Sequence, residues 1–239
     1  MYSGSMSTNE LFRDDAYLKS CSATVTRADQ NTLYVDQTVF YPLGGGQPGD
    51  TGTLSWNDGA AKIIDTRYGD NGDIAHIVED GAALPAIGTS VELSLDWDRR
   101  YRHMRMHTAM HLLGSILKYD VTGGNISEVK SRLDFNMDSS VDKEAVSSAL
   151  AQLVSADHVI SCRWISEEEL DANPQLIRTM SVQPPRGKDA IRLLEIENVD
   201  LQPCGGTHVG TTSEVGAVRL GKVENKGRQN RRVNIHLDD

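Results

Sequence analysis

At 239 residues the chain can hold one large domain or two modest ones. With 38% hydrophobic and 24% charged residues it has a soluble, globular composition, which excludes a disordered chain, and no apolar run reaches the roughly 18 residues that a membrane span needs. A net charge of −10 argues against a general nucleic-acid binder, because neutralising phosphates takes Lys and Arg in excess.

The opening MYSGSMSTNELFRDD has no apolar core, so no secretory leader is expected. Residues 1–15 are expected to be an N-terminal tail, and MYSGS ahead of Met6 is left out of the fold reading. Residues 16–97 contain short runs rich in Val, Ile, Thr and aromatics: NTLYVDQTVF, DTGTLSW, AKIIDTRY, IAHIVED and TSVELSLDW. The segments PLGGGQPGD, WNDGA, YGDNGD and EDGAALPAIG separate them. Strands of this length and spacing predict a small β-barrel or sandwich over 16–97.

The texture changes at residue 98. From there to about Tyr119 there is no Pro, and Gly114 is the sole Gly. Ala109, Leu112, Leu113, Ile116 and Leu117 recur at helical spacing, which predicts a helix of about five turns with that stripe buried. EVKSRLDFNM reads as a strand. A second helix is predicted over Asp142–Ser155, with Asp142 as N-cap and Val146, Ala149, Leu150, Leu153 and Val154 on one face. HVISCRWIS, DAIRLLEIENV, GAVRLGKVE and RRVNIHL read as further strands. In the last, Val233, Ile235 and Leu237 alternate with Arg232, Asn234 and His236, so one face is buried. Residues 98–239 are therefore expected to form a second domain of helices packed on a mostly antiparallel sheet, and the fold class is α+β.

The cysteines are Cys21, Cys162 and Cys204. An odd, sparse set without a secretion signal points to reduced thiols and a cytoplasmic protein. Cys21 and Cys162 lie in apolar, strand-like runs and are expected to be buried by packing.

In RMHTAMHLL, His107 and His111 stand four apart and share one helix face. Such a pair suits packing or the surface as well as a metal, and His103 extends the row by another turn. Far downstream comes CGGTH, Cys204–His208, where Gly205 and Gly206 let a thiolate and an imidazole turn toward one point. Three imidazoles and a thiolate are a donor set that zinc favours. An H-E-x-x-H protease is excluded, because Thr108 follows the first His. Whether His208 is a permanent fourth ligand stays open.

HTAMHLL with CGGTH, preceded by FYPLGGGQPGDTG and followed by NKGRQNRRVNIHL, closely resembles the editing domain of alanyl-tRNA synthetases. It resembles even more the free-standing AlaX-type trans-editing proteins of medium length, over about residues 16–239. The resemblance implies a zinc-dependent hydrolase that deacylates mischarged alanine tRNA, with serine or glycine as the wrong amino acid. It implies one zinc per chain on His107, His111, Cys204 and His208. The expected partner is the acceptor end of tRNA(Ala), bound by a monomer, with no role for DNA or a membrane. The family commonly has Thr where this chain has Met110. Amino-acid selection is therefore referred to Met110 itself or to the hydroxyls of Thr108 and Thr207. For tRNA the candidates are the loop Gly44, Gly45, Gly46 and Gln47, then Arg99 and Arg102 from the cluster DRRYRHMRM, and Arg228, Arg231 and Arg232. Two other readings remain: a non-catalytic zinc-stabilised tRNA-binding module, and a hydrolase of a different mischarged tRNA.

Overall fold

A computed structural model describes residues 7–69, 72–180 and 190–238. The chain forms two compact units. One runs through Gly44 and from Pro48 to Tyr101; the other takes Gly45–Gln47 and everything from Arg102 onward.

The first unit contains β1 (Asn9–Glu10), β2 (Ser20–Asp29), β3 (Thr32–Val35), β4 (Gln37–Thr38), β5 (Gly52–Trp56), β6 (Gly59–Tyr68), β7 (Ile74–Val78) and β8 (Ser90–Leu95). Six of these close an antiparallel barrel in the order β2-β3-β7-β6-β5-β8. Inward positions alternate with solvent positions along β2 and β6, as period-two patterning dictates. Val25, Leu33, Val35, Phe40, Leu54, Ile63 and Leu93 fill the interior. Irregular register at Val25/Arg27 and Ile63/Asp65 bends the strands toward closure. Part of the expected tail is built into this unit. Asn9 and Glu10 pair with Gln37 and Thr38, and Phe12 packs edge-on against Tyr41. The remainder of that tail, residues 1–6, lies outside the described residues.

The barrel also holds polar groups, each with partners close by. Arg100 is fully buried and donates to Asp50 Oδ2 from Nε (2.9 Å) and from Nη2, to Val39 O (2.6 Å) and to Ala16 O (3.1 Å). In the cluster DRRYRHMRM this arginine is an internal strut paired with an acid.

Helix α1 (Trp97–Leu117) runs 21 residues. In the second unit follow β9 (Val121–Asn125), β10 (Lys130–Phe135), α2 (Lys143–Ser155), β11 (Ile160–Ile165), α3 (Glu167–Ala172), β12 (Ile191–Ile196), β13 (Asp200–Pro203), β14 (Val218–Gly227) and β15 (Asn230–Leu237). They form two antiparallel sheets, β14-β15-β10-β9 and β11-β12-β13. The predicted cap of α2 is present: Asp142 Oδ1 accepts from Glu144 N (3.1 Å) and Ala145 N (3.0 Å).

Two expectations about burial change. α1 is not a one-striped helix. Met104, Met106, Thr108, Ala109, Leu112 and Leu113 are all fully buried, while Ile116 and Leu117 are partly exposed near its end. A helix enclosed on most sides loses the polar face on which stripe-reading depends. Cys162 is exposed, and Cys21 is half-buried. β11 is an edge strand with Ser161, Cys162, Arg163 and Trp164 all facing solvent, so its apolar residues have no covering layer there. Among the described residues no helix is long and apolar enough to cross a membrane.

Candidate metal centre

His107 and His111 lie one turn apart on α1, and Cys204 and His208 flank the turn after β13. The ligand atoms of all four lie within 4.8 Å of one another. Cys204 Sγ is 3.5 Å from His107 Nε2 and 3.2 Å from His208 Nε2. Tetrahedral zinc with bonds of about 2.0 Å to nitrogen and 2.3 Å to sulfur sets its donors about 3.5 Å apart, so the spacing fits that ion.

The outward nitrogens are equally ordered. His107 Nδ1 donates to Gln47 Oε1 at 3.0 Å. His208 Nδ1 pairs with the Thr108 hydroxyl at 3.2 Å. His111 Nδ1 faces Asp200 Oδ2 at 3.4 Å, and Gln202 Nε2, which itself donates to Asp200, is 2.9 Å from the same ring nitrogen. At His107, whose Nδ1 faces an oxygen that can only accept, this holds the proton on Nδ1 and leaves the Nε2 lone pair for a metal, the usual arrangement around zinc-binding histidines. The rings of His107 and His208 are 4.2 Å apart.

Charge in the cluster follows from burial and proximity. Burial pushes the Cys204 thiol up, but His107, His208 and His111 around it hold it well below the ordinary thiol range. It is therefore available as the thiolate, the form that ligates metal. Burial pulls His111 down, and the Cys204 sulfur and Asp200 carboxylate raise it to about 9. His208 is held well below its usual value by burial and by His107.

The turn itself depends on glycine. A Cβ on Gly206 would stand 2.2 Å from His107 Cε1 and 2.9 Å from Gln47 Oε1. Arg192, largely buried, ties this turn to β12: Nη1 donates to Cys204 O (3.0 Å) and Gly206 O (2.8 Å).

Several sequence candidates also have bonding roles inside the protein. Gln47 is fully buried: Oε1 accepts from Thr207 N (3.1 Å), and Nε2 donates to Thr207 Oγ1 (2.8 Å). It braces His107, and Gly45 and Gly46 belong with it to the second unit. Gly45 and Gly46 have positive φ, and Gly46 O accepts from Ile126 N at 2.9 Å; Gly44 O accepts from Tyr41 Oη. Thr108 and Thr207 are both already hydrogen-bonded inside the cluster. Met110 is buried, with its Cε 3.5 Å from where a Cβ on Gly124 would lie. His103 is buried but is not one of the four converging residues.

Among the basic residues, Arg99 donates to Gly49 O at 2.7 Å within the first unit. Arg102 is half-buried on α1. Arg232 forms a two-pronged pair with Asp134 (2.8 and 2.9 Å), and Arg231 donates to Asp138 O and Gly227 O. Arg228 is exposed at the β14–β15 turn. Sequence reading missed Asp200, Gln202 and Arg192. The first two had a signal: in DLQPC, positions 200, 202 and 204 alternate onto one face of a strand.

Residues 7–99 match the family model for class II (A) tRNA synthetases, and residues 191–234 that for the threonyl and alanyl tRNA synthetase second additional domain. The chain is similar to alanyl-tRNA editing protein AlaX-M of Methanosarcina mazei, 35% identical over 244 residues that cover 97% of each chain. It is 34% identical to AlaX-M of Saccharolobus solfataricus over 231 residues, 95% of this chain and 97% of the relative. The alanine–tRNA ligase of Pyrobaculum aerophilum is 36% identical over 91% of this chain, which covers 25% of the ligase. Matched along nearly their whole length to relatives that are about one-third identical, these 239 residues belong to the AlaX-M family of alanyl-tRNA editing proteins.

Proposed function

We propose that the protein is a zinc-dependent trans-editing hydrolase, which cleaves the ester joining a wrong amino acid, serine first and glycine second, to tRNA(Ala). The observation that carries the reading is the convergence of the ligand atoms of His107, His111, Cys204 and His208 within 4.8 Å of one another, with Nδ1 of each ring bonded outward. The names of the relatives supply the substrate class. Editing is chemically necessary here: a pocket sized for a methyl rejects a smaller residue, or one bearing an extra hydroxyl, only weakly.

Bound to His107, His111, Cys204 and His208, zinc would supply Lewis acidity to an ester carbonyl or to water. The chain's own residues do the rest. Gln47, Thr108 and Asp200 keep the three rings in one orientation. Gly206 keeps the face of His107 clear. Met110 fills the space beside Gly124, so selection by size at that wall replaces selection by a hydroxyl. Gly44–Gly46 and Gln47 would shape the place of the acceptor end, and Arg99, Arg102, Arg228, Arg231 and Arg232 remain candidate phosphate contacts. Arg228 is the best suited of these, being exposed. The protein is expected to act in the cytoplasm, as a monomer.

The test is a deacylation panel with zinc-loaded protein. Ser-tRNA(Ala) should be hydrolysed and Ala-tRNA(Ala) spared, and a Met110→Thr variant should shift the ratio of serine to glycine release. No hydrolysis of any of them above buffer overturns the reading. A second reading has one observation in its favour: four protein donors can close a tetrahedral shell, as in a structural zinc site. That reading predicts tight binding of tRNA(Ala) with no turnover in the same panel.

A further inference from the structure

The supports behind the three imidazoles are chemically unequal. His107 is backed by a neutral amide and His208 by a neutral hydroxyl. His111 alone among the three faces a carboxylate, Asp200, whose side chain is 1% exposed. A carboxylate that deeply buried is costly unless cations or donors surround it. Here Arg178 Nη1 lies 3.3 Å from Oδ1, and Gln202 Nε2 donates to Oδ2. Burial alone would raise the Asp200 carboxyl, but His111, Gln202 and Arg178 hold it below the usual range, so the group is anionic. Gln202 Nε2 also lies 2.9 Å from His111 Nδ1, against 3.4 Å for Asp200 Oδ2, so the amide and the carboxylate stand together behind that ring. The strand that delivers Cys204 also delivers this carboxylate, since Asp200 and Gln202 precede it at alternate positions on one face.

We propose that Asp200 is a positioning residue of the metal centre. Its carboxylate orients His111 and makes that ring the strongest imidazole donor of the set, while Arg178 and Gln202 hold the carboxylate in place. This rests on the metal-binding reading above. The contact is the longest of the three, 3.4 Å against 3.0 and 3.2 Å, so what sets Asp200 apart is its charge: a carboxylate facing one ring nitrogen raises the electron density at the other.

Zinc affinity measured by competition with a chromogenic chelator tests the assignment, with the absorption spectrum of the cobalt-substituted protein as a second readout. Asp200→Asn keeps the shape and removes the charge. It should weaken zinc binding by about ten- to a hundred-fold and shift the cobalt bands. Thr108→Val, which removes the neutral support of His208, should cost clearly less. Arg178→Gln acts from further out on a partly exposed residue and should weaken binding by a few-fold; it carries the test if Asp200→Asn does not fold. A folded Asp200→Asn protein with affinity within about twofold of the parent overturns the assignment. So does a Thr108→Val loss that equals that of Asp200→Asn, or an unchanged Arg178→Gln where Asp200→Asn cannot be used. Failure of the unmutated protein to take up one zinc overturns the metal reading and this inference together.

Discussion

His76 in the barrel and His107 in α1 are both buried imidazoles, but their bonding differs. His76 has a protein partner at each nitrogen: Nδ1 donates to Leu33 O at 3.2 Å, and Nε2 accepts from the Thr38 hydroxyl at 2.8 Å. Thr38 Oγ1 in turn accepts from Phe40 N. His107 has a partner of that kind at Nδ1, while its Nε2 faces the Cys204 sulfur and other lone pairs. Buried polar groups that satisfy one another serve the fold. A buried group of lone pairs aimed at one point needs a cation to be satisfied, and that marks a site.

The largest expected effect tests that contrast directly. Cys204→Ala or His107→Ala should abolish zinc binding and deacylation together and leave the barrel folded, as followed by metal analysis, hydrolysis of Ser-tRNA(Ala) and circular dichroism. Full hydrolysis by a metal-free Cys204→Ala protein would break the comparison.

Next comes Gly206→Ala. Its Cβ would overlap His107 Cε1 at 2.2 Å, so the ring must move. A displacement of about 1 Å in a catalytic group costs about a hundred-fold in rate, and turnover should fall by that order. Unchanged turnover would mean that His107 has slack which this structure does not show.

A smaller effect sharpens the barrel side. Burial lowers His76 from 6.5 to about 4. Between those values the unfolded chain binds a proton that the folded barrel refuses, so stability falls as pH falls through that window. The difference corresponds to about 3 kcal/mol. Urea unfolding of the parent and of His76→Asn between pH 7 and 4 should show a steeper acid loss in the parent. Equal slopes would show that His76 protonates without opening the barrel.

The smallest effect concerns the two arginines of the last hairpin. Arg228→Ala should weaken tRNA binding by a few-fold and reduce its salt dependence by about one phosphate contact. Arg232→Ala should disturb the Asp134 pairing more than the affinity for tRNA. The opposite order, read from binding titrations at several salt concentrations, would reassign the contact.

Much of the fold was legible because its rules are local. The barrel strands follow period two and turn residues, and α2 starts at Asp142 because a carboxylate there reaches the two nearest free amides. The convergence of His107, His111, Cys204 and His208 was legible for a related reason. His107 and His111 share a helix face at any fold, and Gly205 and Gly206 free the Cys204–His208 turn. β9, β13 and α3 were missed: in VTGGN two strand formers are followed by Gly-Gly-Asn, which reads as a turn, DLQP is short and ends in Pro, and the six residues of α3 are too few for periodicity.

The sequence by itself determined most element types and pointed to the four residues that converge, since both depend on residues within a few positions of one another or on side-chain chemistry. Tertiary structure decided what stands behind the donors. Gln47 reaches Thr207 across 160 residues and His107 across 60, and Asp200 reaches His111 across 89. It likewise decided that Arg100 is an internal strut and that Cys162 faces solvent. Such pairings depend on where distant strands converge, and no short-range pattern encodes that.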